Sequence, residues 1–335
     1  MAYIKINRSN LIHNLSQIVL KAGSVDKIAI VLKDNAYGHG VGKIAKIARD
    51  FGITKAVVRN YEEAKEIEDL FDDIIVLGGV IIPSSKLSYT INSIERLESC
   101  PEGANIELKI DTGMHRNGIM PDELQSAINI IKDKNINLVG IMSHFSSADE
   151  LGSEYFYQYK NFQTIKESVK KIGFNSVRFH IHNSAGVLRS KEFKEDLVRL
   201  GIGAYGYNPM DSAFENIELK PVMSLYAKKV SSRILTTGQR VGYGGEFIAP
   251  KEMIVSTYDI GYGDGWRRGS PNIPYVTPSG KKILGRVSMD FITLEGDDEE
   301  VCIMKDANIA AKHFGTISYE ITCALHANIK RVIVD

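Results

Sequence analysis

Residues 27–40 read KIAIVLKDNAYGHG, and the rest of the chain is arranged around them. Ile28 to Leu32 form an apolar run too short for a helix and rich in Ile and Val, which reads as a strand buried on both faces. Lys33 closes the run. A lysine at the end of a buried strand is costly unless it has a task or a partner. Asp34 to Gly40 carry turn chemistry, and Val41, Ile44, Ala45, Ile47 and Ala48 then repeat at helical spacing. The unit is therefore strand, lysine, glycine-rich turn, helix. Lys33 has two readings: a head that reaches solvent past a strand end, or an amine desolvated enough to act as a Schiff-base nucleophile near neutral pH.

The chain has 335 residues, enough for more than one ordinary domain, and is 44% hydrophobic and 24% charged. Its formal net charge is zero and it has no long basic run, which argues against nucleic acid or an anionic membrane as the main partner. The three cysteines, Cys100, Cys302 and Cys323, form neither a disulfide framework nor a CxxC pair. The first ten residues, MAYIKINRSN, lack a signal peptide's apolar core, and no stretch is apolar enough to span a bilayer. Together these features point to the cytoplasm.

Around the opening unit, strands and helices alternate. Strand-like runs fall at 27–33, 55–60, 73–79, 87–92, 106–111, 138–145, 176–183 and 197–204, the fourth being the weakest. Helical patterns fall at 41–51, 62–71, 94–99, 122–133 and 153–172, and Ser9 is placed to cap an earlier helix. Eight βα units in about 200 residues suggest an α/β fold of the TIM (β/α)8 barrel type. A doubly wound sheet shares the alternation and stays open. Near Leu219 helical periodicity stops, and short runs separated by Gly, Pro and Asp clusters read as a C-terminal all-β domain. The expected division is a barrel over 8–218 and a β domain over 1–7 and 219–335.

In a barrel, chemistry sits where the strands' C-terminal ends form one rim. Those ends supply Lys33, then Lys109 with Arg116 just beyond, His144, His180 with Asn183 and Ser184, and Arg199 with Gly201 and Ile202. Four cations converging on one rim call for an anionic ligand. His144 or His180 taken alone reads more often as a hydrogen-bonded structural histidine. The run from Gly201 to Gly206 fits GxGxxG, but the residues after it do not read as a Rossmann helix.

Several stretches resemble motifs of the alanine racemase family, in order along the chain. VLKDNAYGHG resembles the family's KANAYGHG, and KIDTGMHRNG resembles KLDTGMGRLG. GIMSHFSSAD, HIHNSAGVLR and VRLGIGAYG are similar to further barrel segments, and DIGYGDGW, GRVSMD and TISYEI to segments of a β domain. The resemblance implies a pyridoxal 5'-phosphate enzyme interconverting L- and D-alanine, built as a barrel plus β domain and supplying D-alanine for the cell wall. It implies that Lys33 carries the cofactor and is one of two bases. Tyr262, from the other subunit of a homodimer, would be the second. His144, Asn183 and Arg199 would touch the cofactor. Tyr37, Ser184, Tyr319 and the amides of Gly201 and Ile202 would hold its phosphate. Arg116 and Met289 would bind the substrate carboxylate, with Asp290 nearby. His180 would hydrogen-bond Arg199, Tyr243 would lie near the entrance, and Lys109 would orient Arg116, as a carbamate in many members. Asp34, His115 and His182 depart from the family pattern.

Rival readings are a racemase for serine or a broader set, a related decarboxylase, a non-catalytic cofactor carrier, and a metal-dependent barrel hydrolase. The last rests on His180 and His182, which alternation would put on one strand face.

Overall fold

The computed structural model describes residues 1–215 and 217–335, in two compact units. One comprises residues 12–36 and 41–220, the other residues 1–11, 37–40 and 221–335.

The chain opens with β1 (Tyr3–Asn7), which belongs to the second unit, followed by the helix Arg8–Ala22. That helix is capped by Asn7, whose Oδ1 accepts from the Asn10 amide at 2.7 Å, upstream of the expected Ser9 cap. Asparagine is among the strongest caps, and its acceptor reaches the third helical amide directly.

The first unit is built on eight parallel strands: β2 (Ile28–Val31), β3 (Lys55–Val58), β4 (Asp73–Val76), β5 (Leu87–Ile91), β6 (Asn105–Lys109), β7 (Asn137–Met142), β8 (Arg178–His180) and β9 (Val198–Leu200). Each pairs with the next from β2 to β8, and β9 lies beside β2. That sequential order is a barrel's; a doubly wound sheet would reverse direction at a switch point. Hydrogen bonds from the Asp196 amide to the Phe179 carbonyl (3.1 Å) and from the Arg199 amide to the His182 carbonyl (3.0 Å) bring the two edge strands together. The weak fourth strand is present as β5 and is buried throughout.

Helices cover the barrel because each has one apolar face. Val41–Phe51 buries Ile44, Ala45, Ile47 and Ala48 and turns its charged residues outward. Asn60 and Ser93 cap the helices Tyr61–Lys65 and Ile94–Glu98 through the Glu63 and Arg96 amides. Leu124–Asp133 and Glu154–Lys171 add Ile128, Ile131, Phe162 and Ile165 to the core around β5 to β8.

The second unit holds β10 (Met223–Leu235), β11 (Arg240–Val241), β12 (Phe247–Ile248), β13 (Met253–Tyr258), β14 (Ile292–Glu295), β15 (Glu300–Met304) and β16 (Lys330–Val334). The main sheet runs β14-β13-β10-β1-β16, with β15 also on β10. Residues 274–276 and 281–288 contribute isolated bridges only, Val276 with Lys282 and Ile283 with Leu294. Two short helices, Ala307–Phe314 and Ser318–Ala324, also lie here. Residues 37–40 join this unit through Arg331. Its Nε and Nη2 donate to the Gly38 carbonyl at 3.2 and 2.9 Å, and a Cβ on Gly38 would stand 2.0 Å from the Thr322 carbonyl oxygen.

Candidate active site

Lys33 follows the end of β2, its side chain one-third exposed. The next four residues adopt the left-handed region: Asp34, Asn35 and Ala36 at φ 54° and Tyr37 at φ 52°. Such residues cost on the order of 1 kcal/mol each and persist only where surroundings enforce them. The enforcement is visible. Glu63 accepts the Asp34 amide on one carboxylate oxygen and the Arg59 amide on the other, both at 2.7 Å. Asn35 Oδ1 accepts the Val41 amide at 2.8 Å, tying the turn to the next helix. Asp34 Oδ2 lies 3.9 Å from Lys33 Nζ, and its Oδ1 lies 3.3 Å from Arg59 Nη1.

Arg199 is buried in the barrel. Its Nη1 donates to His180 Nδ1 at 2.5 Å and the His180 carbonyl at 3.3 Å. Its Nη2 donates to the Ser143 carbonyl at 2.6 Å, the Ile181 carbonyl at 3.3 Å and His144 Nδ1 at 3.2 Å. His144 is pushed down to about 3 by burial and by Arg199, Lys109, Arg116 and Lys33. All four cations oppose protonation of the same imidazole.

Lys109 ends β6, buried, and its amine donates to Asn117 Oδ1. Burial, Arg116 and Arg199 lower it to about 8, against the opposing pull of Asp111. Asp111 is a turn-former. Its Oδ1 accepts the amides of Gly113, Met114 and His115 at 2.9, 3.0 and 3.2 Å, which shapes the loop carrying exposed Arg116. Asn183 caps the helix Ser184–Arg189 through the Gly186 amide. Ser184 Oγ accepts the amides of Gly201 and Gly203, both at 3.1 Å, so this serine organises the turn that also contains Ile202.

In the second unit, Tyr37 and Tyr319 meet edge to face with centroids 5.8 Å apart. Tyr262 is 44% and Met289 56% exposed. Their backbones are tightly held. Tyr262 donates its amide to the Ser288 carbonyl, Gly263 donates to the Met289 carbonyl, and a Cβ on Gly261 would stand 2.1 Å from that same oxygen. Asp264 Oδ2 accepts the Gly261 amide at 3.0 Å. Asp290 is exposed beside this loop, and Tyr243 is exposed on its own turn.

His180 and His182 do not form a metal pair. β8 ends at His180, whose two ring nitrogens meet Glu107 and Arg199. His182 is buried among Phe145, Tyr159 and Phe193, with Nδ1 3.5 Å from Glu195. Among the described residues no three His, Cys, Asp or Glu side chains are grouped to hold a metal ion. Sequence reasoning passed over Glu63, Asn117, Glu107 and Arg331. Glu107 alone left a signal, a charge inside the apolar alternation of β6.

A parallel barrel with a basic rim at its strand ends places the chain in the class of (β/α)8 enzymes. Residues 6–209 match the family profile of the alanine racemase N-terminal domain and residues 222–333 that of the C-terminal domain. The chain is 46% identical over the full length of both proteins to an alanine racemase of a Nitratiruptor species, and 43% to one of Campylobacter concisus, again over both full lengths. Among solved structures it is similar to alanine racemase from Bacillus anthracis with bound L-Ala-P (26% identity, TM-score 0.90, covering 100% of this chain and 95% of that one). It is likewise similar to alanine racemase of Clostridium difficile 630 (28% identity, TM-score 0.89, 99% and 95%). The chain belongs to the alanine racemase family.

Proposed function

We propose that this chain interconverts L- and D-alanine with bound pyridoxal 5'-phosphate, using Lys33 and the partner subunit's Tyr262 as bases in a homodimer. The observation that supports this most is the surplus of positive charge around His144: Lys33, Lys109, Arg116 and Arg199 all act on it. Asp34 and Asp111 offset only part of that charge. Such a donor set fits a phosphorylated cofactor with a carboxylate substrate. When bound, the cofactor supplies an electron sink for the Cα carbanion.

The chain's own residues do the rest. Lys33 carries the cofactor and moves a proton on one face of Cα; Tyr262 does so on the other, because inversion needs delivery opposite to removal. Tyr37, Ser184, Gly201, Ile202 and Tyr319 hold the phosphate, and His144 and Asn183 border the ring. Arg199, which only donates, would face the cofactor's ring nitrogen and disfavour its protonation. Arg116 and the Met289 amide receive the substrate carboxylate, with Asp290 beside them and Tyr243 at the entrance. Lys109, neutral for part of the time near pH 8, would form an N–C bond to carbon dioxide and release a proton to solvent, turning from a repulsive neighbour of Arg116 into an anionic, attractive one. A carbamate resonance from isotopically labelled bicarbonate, absent in Lys109→Ala, checks that step.

Alanine is taken as substrate from the family; D-alanine would feed cell-wall synthesis. No helix among the described residues is long and apolar enough to cross a membrane, and the three cysteines form no disulfide, in keeping with a reducing cytoplasm. A chiral assay with each alanine enantiomer, and serine as control, tests the reading. Equal conversion from both sides supports it. No turnover by protein reconstituted with pyridoxal phosphate overturns it, and faster turnover of serine overturns the choice of substrate.

A further inference from the structure

Beneath the rim, Asp73, Arg178, Glu107, His180 and Arg199 form a connected row of side chains inside the barrel. Register places Glu107, Gly140 and Arg178 side by side on β6, β7 and β8. Gly140 is the gap that lets the outer two meet: a Cβ there would stand 1.9 Å from Glu107 Oε2. Arg178 Nε donates to Glu107 Oε1 at 2.6 Å, and its other nitrogens bind Asp73 and Ser88 Oγ. Glu107 Oε2 lies 2.9 Å from His180 Nε2, and His180 Nδ1 faces Arg199. Glu107 and His180 are both completely buried.

Donor and acceptor logic admits one proton arrangement. Arg199 can only donate, so His180 Nδ1 must carry the lone pair. The ring proton then sits on Nε2 and donates to Glu107. A doubly protonated ring would set a donor against the guanidinium. Burial pushes His180 down to about 4, keeping it neutral. Burial alone would raise the Glu107 carboxyl, but its contacts with His180 and Arg178, and the hydrogen bonds both donate to it, hold it below the usual range. Burial also pulls Arg199 down to about 10, and Glu107 is the charge that opposes this.

We propose that Glu107 is a positioning residue for the reaction: by fixing the tautomer of His180 it guarantees Arg199 an acceptor, and so holds the guanidinium charged and oriented at the rim. The kinetic consequence rests on the racemase reading; the tautomer does not. Glutamine is the informative replacement because it accepts at only one end. With its oxygen toward Arg178, its amide would donate to His180 Nε2 and drive the ring proton to Nδ1, against Arg199. Turned round, it would set an amide donor against Arg178.

The test is nitrogen NMR of histidine-labelled, full-length holoenzyme, with His180 assigned by His180→Gln. The expected native signal is a single neutral tautomer protonated at Nε2. Glu107→Gln should lose it, and kcat should fall about tenfold or more while KM changes by less than about threefold. Glu107→Asp, which keeps two acceptors, should keep the tautomer and lie between, and it serves if the glutamine variant does not fold. A native His180 protonated at Nδ1 or on both nitrogens overturns the proposal. So does a Glu107→Gln protein that is merely less heat-stable, with tautomer and kcat unchanged. If the native enzyme racemises nothing, the functional reading fails while the NMR comparison still decides this one.

Discussion

The barrel unit and the second unit hold their candidate functional side chains in opposite ways. Arg199 and His180 are 5% and 0% exposed, and protein partners take up both Nη groups of the one and both ring nitrogens of the other. Tyr262 and Met289 are about half exposed and Tyr243 is 71% exposed, while the backbone beneath Tyr262 and Met289 is locked by close glycine approaches. One region fixes its buried donors with partners of its own while leaving a surplus of positive charge at the rim. The other presents side chains on a rigid edge. Preorganised charge works best when desolvated and satisfied in advance, whereas a side chain proposed to serve another protomer would have to stand out from its own.

Perturbing each side should separate these two designs. Lys33→Ala should lose more than about 10⁴-fold in turnover, since it removes both attachment and proton transfer; retained turnover, measured with both enantiomers, would assign the chemistry elsewhere. Tyr262→Phe should cost about 10²- to 10⁴-fold. It should still exchange the Cα proton of one enantiomer with solvent, visible as isotope uptake without inversion. Equal exchange of both enantiomers would remove Tyr262 from the mechanism.

Acid should weaken the buried side. His180 and His182 are held neutral by burial, down to about 4 and about 3. An unfolded chain protonates these rings near pH 6.5, so stability is full above that and falls as pH drops toward about 4, by a few kcal/mol in all. His182→Phe, set among Phe145, Tyr159 and Phe193, should flatten the fall in Tm between about pH 7 and pH 5; an unchanged slope would mean that His182 does not titrate on unfolding. The smallest effect belongs to Asp34→Ala. Its contacts with Lys33 and Arg59 are part-exposed, worth about 0–1 kcal/mol, so kcat/KM should move by less than about fivefold. A larger loss would make Asp34 part of the machinery.

The barrel strands were legible because β2, β3, β4 and β7 are short apolar runs and the others recur at similar spacing between helical patterns. The fourth, β5, was faint because Ser88 and Thr90 face polar groups inside the barrel, Arg178 and Met142 sulfur. The left-handed turn after Lys33 was legible only in part: Asp34 and Asn35 are turn formers that tolerate positive φ, but Ala36 and Tyr37 have no leaning toward it. The relay through Glu107 depends on cross-strand register with Gly140 and Arg178, which a single strand does not encode. Tyr262 could be singled out only through its motif's likeness to a family, because an exposed tyrosine on a turn carries no local mark of chemistry.

The sharpest test of a base supplied across protomers is complementation. Lys33→Ala and Tyr262→Phe chains, each nearly inactive alone, would be unfolded, mixed in equal amounts and refolded as dimers with pyridoxal phosphate. If each site draws Lys33 from one protomer and Tyr262 from the other, half the dimers carry one intact site and activity returns to roughly a quarter of native. Mixed dimers that form, as shown by distinct affinity tags, yet stay inactive would contradict the account.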